Sequence, residues 1–424
     1  MSSIDTPLGH VLPRRAERLV TDALTDTRVV VLNGARQCGK STLARVIGDR
    51  HGAESRTLDA EATRRAALED PTGFVQVPAM LVLDEIQRAP DLLLSIKAEV
   101  DRDQRPGRFL LTGSARVLGL RALPDALPGR TETIELWPFS QGEIDGAPDG
   151  FVDAAFTLGP DLRVTSRLTR ADYAARVVQG GFPQAVARTD HRRRQRFLGS
   201  YVNDLVTRDV AQLSEIERAP ELRTLMRLVA ARSGQLLVEG ALANDTRLSR
   251  QTIGRYLHLL EEVFLLKRIP AWSRNLSSRA VGTPKVALVD SGVAATLLAA
   301  DAGWLAQPES PFGGLLEGFV LMELARQASW SDTDVELWHY RTRDQVEVDA
   351  VLENRRGQVV AVEVKSGATV RGDDFRGLRH LQARLGDDFL LGVVLYTGPE
   401  TLPFGPNLRA MPVSALWQAT APEP

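Results

Sequence analysis

The chain has 424 residues, of which 43% are hydrophobic and 25% charged, and its net charge is −2. That length exceeds one ordinary domain, the composition lets each domain build its own core, and the near-neutral charge excludes bulk polyanion binding, so any nucleic-acid surface has to be a local patch. A single cysteine, Cys38, excludes a disulfide framework; with no signal-peptide core at the N-terminus and no apolar run near the roughly 18 residues of a membrane span, the expected setting is the reducing cytoplasm, away from membrane.

In chain order, an entry arm leads into a short helix around Ala16–Leu24. Residues 28–140 then alternate short apolar runs with helical stretches. The strand candidates are Val29–Leu32, Arg56–Leu58, Met80–Leu83, Phe109–Leu111 and Thr131–Leu136, and such alternation argues a parallel α/β sheet. Trp137-Pro138 stops the last strand, and Gly142–Asp149 reads as a loop. Residues 164–233 are mostly helical and arginine-rich, with a Gly180-Gly181-Phe182-Pro183 break. Leu237–Ala243, a polar turn and a Ser249-capped helix, followed by a β-rich run Val263–Ile269, suggest a helix-turn-helix with a wing. From about Pro284 strands and helices resume, with a helix at Leu315–Gln327 and strands at Val286–Val289, Val335–Tyr340, Glu347–Leu352, Val359–Val364 and near Tyr396.

The densest signal is Gly34-Ala35-Arg36-Gln37-Cys38-Gly39-Lys40-Ser41, with Thr42 following. This is the G-x-x-x-x-G-K-[ST] phosphate loop. Glycines let backbone N–H groups curl around an anion, Lys40 reaches the β- and γ-phosphates, and Ser41 places a hydroxyl on Mg²⁺. The apolar run before it and the helix after it are the context such a loop needs. Met80–Glu85 is an apolar strand ending in two acids, a Walker B element in which Asp84 holds Mg²⁺ and Glu85 polarises the attacking water. At the end of Phe109–Leu111, Ser114 or Thr112 is placed to sense the γ-phosphate. Arg130 is the candidate for neutralising transition-state charge, in cis or from a neighbouring subunit. Asp59 and Glu61 read as loop residues.

Together with Asp84-Glu85-Ile86-Gln87-Arg88-Ala89-Pro90, Gly107–Ser114, Gly129-Arg130, Pro138-Phe139-Ser140 and Gly180–Pro183, the loop resembles one family over nearly the whole chain. This is the bacterial and archaeal AAA-type ATPases with a C-terminal domain of unknown function 4143. Cys38 and Asn33 depart from the residues more usual there. The resemblance implies an AAA+ ATPase using ATP and Mg²⁺, an appended winged helix and a C-terminal domain similar to PD-(D/E)XK nucleases. A ring or transient homo-oligomer also follows from it.

Glu317 on its helix, Asp349 on its strand and the E-x-K of Glu363 and Lys365 form an acidic constellation in the order of those nucleases. Residues two apart on a strand share a face, so Glu363 pairs with Lys365 and Glu347 with Asp349. Such a set can hold a second divalent metal for phosphodiester cleavage; a salt-bridged surface pair or a non-cleaving binding module explains it equally. Arg247, Arg250 and Arg255 on or beside the Ser249-capped helix offer major-groove contacts, and His191–Arg196 is a local basic patch.

The resulting reading is a multidomain α/β protein: a P-loop ATPase domain with a parallel sheet (1–145), a helical lid (146–235), a winged helix-like segment (236–280) and a restriction-endonuclease-like C-terminal domain (281–424). Its expected function is Mg²⁺-dependent ATP hydrolysis coupled to action on nucleic acid, with DNA met through the winged helix and C-terminal domain. A nucleotide switch for a protein partner and an ATP-licensed nuclease stand as alternatives.

Overall fold

The computed structural model describes residues 5–6, 9–114, 127–209, 219–275, 279 and 282–422. The chain packs into two units: the first comprises Met1–Phe139, Phe182–Ala187 and Leu260–Leu265, the second Ser140–Gly181, Arg188–Leu259 and Leu266–Pro424. The stretches expected as a separate lid and winged segment fall mostly within the second unit.

In the first unit a two-residue pair, β1 (Asp5–Thr6) and β2 (Gly9–His10), precedes the helix Ala16–Asp26. The unit is built on β3 (Val29–Gly34), β4 (Glu54–Thr57), β5 (Leu81–Asp84), β6 (Phe109–Gly113) and β7 (Thr131–Leu136), in the order β4-β5-β6-β3-β7. All neighbours in it run parallel. The central strand β3 is buried throughout, which is why it reads as an unbroken Val-Val-Val-Leu run. Its core includes Val29, Val31, Leu83, Ile96, Phe109 and Leu111. Every strand's carboxyl end lies on one edge, where the phosphate loop, the Asp84-Glu85 pair and Thr112 converge. The Gly107-Arg108 motif serves this core. Arg108 is buried and donates to the carbonyls of Val77 at 2.8 Å and Ala79 at 2.7 Å, while pairing with the buried Glu99 at 3.3 Å; it closes backbone acceptors at the sheet's other edge.

The second unit carries a ribbon of β8 (Leu266–Ile269) and antiparallel β9 (Lys285–Leu288). Its main sheet contains β10 (Val335–Arg341), β11 (Glu347–Asn354), β12 (Val359–Lys365), β13 (Phe389–Tyr396), β14 (Leu402–Gly405) and β15 (Leu408–Pro412). They lie in the order β10-β11-β12-β13-β15-β14. The β12-β13 and β13-β15 pairs are parallel and the rest antiparallel. The 19-residue helix Phe312–Trp330 is buried nearly all round, so it packs inside this unit rather than on its surface. Its Glu323 accepts the Gln141 N–H at 3.0 Å and pairs with Arg326 at 2.7 Å. The expected loop at Gly142–Asp149 begins as a short helix, Gln141–Asp145, because Ser140 and Glu143 form a reciprocal capping box.

Helices Glu239–Thr246 and Arg250–Glu262 precede the ribbon. The second is capped as its sequence suggests, with Ser249 Oγ accepting the Thr252 N–H at 3.1 Å. Ile253, Tyr256 and Leu257 are buried, whereas Arg247, Arg250, Arg255 and His258 are exposed. Among the described residues no helix is long and apolar enough to cross a membrane.

Candidate functional site

The phosphate loop links β3 to the helix Lys40–Arg50. Gly39 caps that helix at φ 104°, a left-handed conformation that a side chain would strain. Gln37 also adopts a positive φ of 62°, so the loop folds back on itself before the helix begins. Lys40 is 4% exposed. Its Nζ donates to the carbonyls of Gly34 at 3.0 Å and Ala35 at 2.9 Å. The ammonium is therefore held at the loop by neutral acceptors. Cys38 is buried and its Sγ donates to the Leu136 carbonyl at 3.3 Å, a packing role.

Across the sheet edge, Ser41 Oγ donates to Asp84 Oδ1 at 2.7 Å, and Thr112 Oγ1 donates to the same oxygen at 2.6 Å. Thr57 reaches Asp84 Oδ2 at 3.4 Å. Thr112 also accepts the Glu85 N–H at 3.1 Å. One threonine thus fixes both acids, the first by its hydroxyl proton and the second through its backbone. Glu85 has φ 62°. A non-glycine residue held there costs about 1–3 kcal/mol, a strain concentrated at working sites. Its Oε2 accepts from Ser114 Oγ at 3.1 Å, and Gln87 Nε2 donates to Ser114 Oγ at 3.0 Å and also contacts the Glu85 carboxylate. Ser114 is placed as a partner of Glu85, and Thr112 as the positioning residue between Asp84 and Glu85.

The oxygens of Ser41, Asp84 and Thr57 are hard donors gathered beside the loop, the chemistry Mg²⁺ takes. The residues present fit a nucleotide-bound Mg²⁺ held by Ser41 and Asp84. Asp59 pairs with Arg88 at 3.0 Å, and Glu61 opens the helix Glu61–Glu69 instead of lying in a loop.

Arg130 requires correction as a residue acting on its own chain's nucleotide. It immediately precedes β7, whose first residue pairs with Val29, whereas the loop begins where Gly34 pairs with Leu136. Six residues of extended strand separate the two edges, about 17–20 Å. Arg130 instead pairs with Asp101 at 2.7 Å.

The C-terminal acids also require correction. Glu317, Glu347 and Asp349 converge, but on Lys285, the first residue of β9. Its Nζ lies 2.7 Å from Glu317 Oε1, 3.0 Å from Glu347 Oε1 and 2.8 Å from Asp349 Oδ1, and the residue is 1% exposed. Glu363, on the strand beside Asp349, takes its own cation, Lys365, at 2.7 Å. Among the described residues no group of three or more His, Cys, Asp or Glu is arranged to hold a metal ion. Buried carboxylates require a cation, and here the chain supplies it. Burial and the neighbouring Asp349 push the Glu317 carboxyl up to about 8, against the pull of Lys285; burial and Asp349 likewise raise Glu363 to about 7. Burial alone would lower the Lys285 ammonium, but Asp349, Glu317 and Glu347 outweigh it and hold it raised. His339 is buried, its Nε2 lies 2.9 Å from the Thr283 carbonyl, and burial lowers it to about 4.

The sheet order, the loop and the paired acids define an AAA-type P-loop protein. Residues 26–145 match the AAA domain family and residues 312–416 the domain of unknown function 4143, so the chain carries both. Residues 170–303 match the domain of unknown function 8612. An uncharacterized protein of Mycobacterium tuberculosis is 28% identical over 411 residues, covering 95% of this chain and 84% of that protein. An uncharacterized protein of Haemophilus influenzae is 23% identical, covering 70% of this chain and 74% of that one. Among solved structures, the chain is similar to a Walker-type ATPase of Pyrococcus abyssi, 15% identical with a TM-score of 0.43, covering 68% of this chain and 96% of that one. The RuvB Holliday junction branch migration motor of Thermotoga maritima is 19% identical with a TM-score of 0.30, covering 60% of this chain and 89% of that one.

Proposed function

We propose that this chain binds and hydrolyses ATP with Mg²⁺ at the Gly34–Thr42 loop and uses the cycle to act on or with nucleic acid. The observation that carries the first half is the joined array in which Ser41 and Thr112 both bond Asp84 while Thr112 and Ser114 hold Glu85. The loop's backbone and Lys40 bind the phosphates. Glu85, oriented by Ser114 and Gln87, accepts the proton of the attacking water. Mg²⁺, when bound by Ser41 and Asp84, neutralises charge on the phosphate oxygens.

The nucleic-acid half rests on the exposed Arg247, Arg250, Arg255 and His258 at a helix preceding an antiparallel ribbon, where phosphate and groove contacts are accessible in the manner of a winged helix. The acids closed on Lys285 favour a C-terminal unit that binds rather than cleaves, which sets the ATP-licensed nuclease behind this reading.

The test is phosphate release with and without duplex DNA, on the unmodified chain and on a variant with Arg247, Arg250 and Arg255 changed to Glu. The reading predicts DNA-stimulated release that the triple variant loses while its basal rate stays intact. Release indifferent to DNA would transfer support to a nucleotide switch acting on a protein partner.

A further inference from the structure

We propose that Lys285 is a built-in cation of the second unit, an ammonium that takes the position a divalent ion would hold among Glu317, Glu347 and Asp349. Three observations converge on it. An ammonium has three donors, and Lys285 Nζ has one carboxylate oxygen for each, at 2.7, 2.8 and 3.0 Å. The carboxylates are fixed from behind as well: Asp349 Oδ2 accepts the Val364 N–H at 2.9 Å, and Glu347 Oε2 pairs with Arg341 at 3.0 Å. The lysine is locked in place by its backbone, since β9 pairs Lys285 with Ile269 on one side and bridges Leu236 on the other.

Glu317 gains its position from Gly234, at φ 84°, where an added Cβ would fall 2.7 Å from the Glu317 Cδ. The cluster borders a cavity of about 430 Å³ lined by Arg232, Gly234, Gln235, Glu317, Arg341 and Glu347 among others. The carboxylates therefore have water at hand, and three oxygens already ring one point. Mg²⁺ or Mn²⁺ would need them to close to roughly 2.1 Å and would fill its remaining positions with water. With the Lys285 ammonium seated among them, the three acids are not arranged as a metal-holding group; on this proposal, removing that ammonium frees them to close on an ion. Lys285, with Arg341 on Glu347, thus offsets most of the acidic charge beside the cavity.

The experiment counts Mn²⁺ bound by the nucleotide-free full chain, using calorimetry and the electron paramagnetic resonance of free Mn²⁺. The unmodified chain is expected to show no site that survives Asp84→Asn and is lost in Glu317→Gln. Lys285→Ala gains one Mn²⁺ site, weakened at least about tenfold by adding Glu317→Gln. Its thermal midpoint falls by on the order of 10 °C without metal and recovers as Mn²⁺ is added, because the ion binds only the folded state. Lys285→Met, which keeps the packing of the stem, carries the same test where the alanine variant folds poorly. A Glu317-dependent Mn²⁺ site in the unmodified chain, folded variants that gain none, or variants that stay unfolded even in millimolar Mn²⁺ would overturn the proposal.

Discussion

The phosphate-loop edge of the first unit and the acidic cavity of the second are both gatherings of charge beside strands, yet they are charged in opposite ways. At the loop, Lys40 faces the neutral carbonyls of Gly34 and Ala35, and Asp84 is bonded by the neutral hydroxyls of Ser41 and Thr112. No bond among these groups cancels a charge, so the cation and the acids stay available for an anion and its counter-ion. In the second unit every acid near the cavity meets a cation of the chain, with Glu317, Glu347 and Asp349 on Lys285 and Glu363 on Lys365. A site becomes chemically committed by which charges its own fold leaves uncompensated, more than by how many acids it collects.

The largest expected effect is at the loop. Lys40→Ala removes the ammonium held at the loop by Gly34 and Ala35 and should lower ATP turnover about 10²–10³-fold, with nucleotide affinity falling in a fluorescent-nucleotide titration; unchanged affinity and turnover would dissolve the contrast. Thr112→Val comes next. It keeps the shape of the strand but removes the hydroxyl that positions Asp84 and Glu85. Turnover should fall about tenfold to a hundredfold with the melting temperature of the first unit changed far less, and Thr112→Ser should restore most of the rate.

The second unit is expected to respond to pH. Glu317, raised to about 8, holds its proton more tightly folded than unfolded, as do Glu363 and Glu323, each raised to about 7. Stability from these protons is present at low pH and is lost as pH rises toward 8. His339, lowered to about 4, acts oppositely, adding stability as pH rises toward 6.5. Above pH 6.5 the His339 contribution is complete while the raised acids still lose protons, so the unit's denaturation midpoint should fall between pH 6.5 and 8. Glu317→Gln should flatten the slope; a rising midpoint would contradict the placement of these acids.

The smallest effect is expected at Arg130. Its ion pair with Asp101 is partly exposed, a contact worth at most about 1 kcal/mol. Arg130→Ala should leave dilute-protein turnover within about twofold. A larger loss that appears only at high protein concentration would identify it as a residue supplied to a neighbouring copy.

The loop was legible because its signal is contiguous: Gly34 to Ser41 specify a local backbone shape, and the flanking strand and helix announce themselves in apolar periodicity. Asp84 and Glu85 were legible as two acids at the end of an apolar run. Thr112 was harder, since a hydroxyl at a strand end serves many purposes and its bond to Asp84 depends on strand order. Arg130 misled although its place was legible: it precedes Thr131–Leu136, so in a parallel sheet it lies at the strand's amino end, away from the loop. The acidic constellation left a metal site and a salt-bridged set open in the sequence, because the cation that pairs with Glu317, Glu347 and Asp349 comes from another strand. Lys285, buried at the head of Val286-Ala287-Leu288, was the available clue, since a lysine opening an apolar strand must find carboxylates when buried.

Glu85→Gln tests the central claim most directly, because it keeps the size of the side chain and its contacts while removing the base. ATP affinity and phosphate release would be measured together on the same preparation with Mg²⁺. The account predicts affinity within about threefold of the unmodified chain and release reduced about 10²–10⁴-fold. Release at the unmodified rate, with binding intact, would show that the Asp84-Glu85 edge is not where this chain hydrolyses ATP.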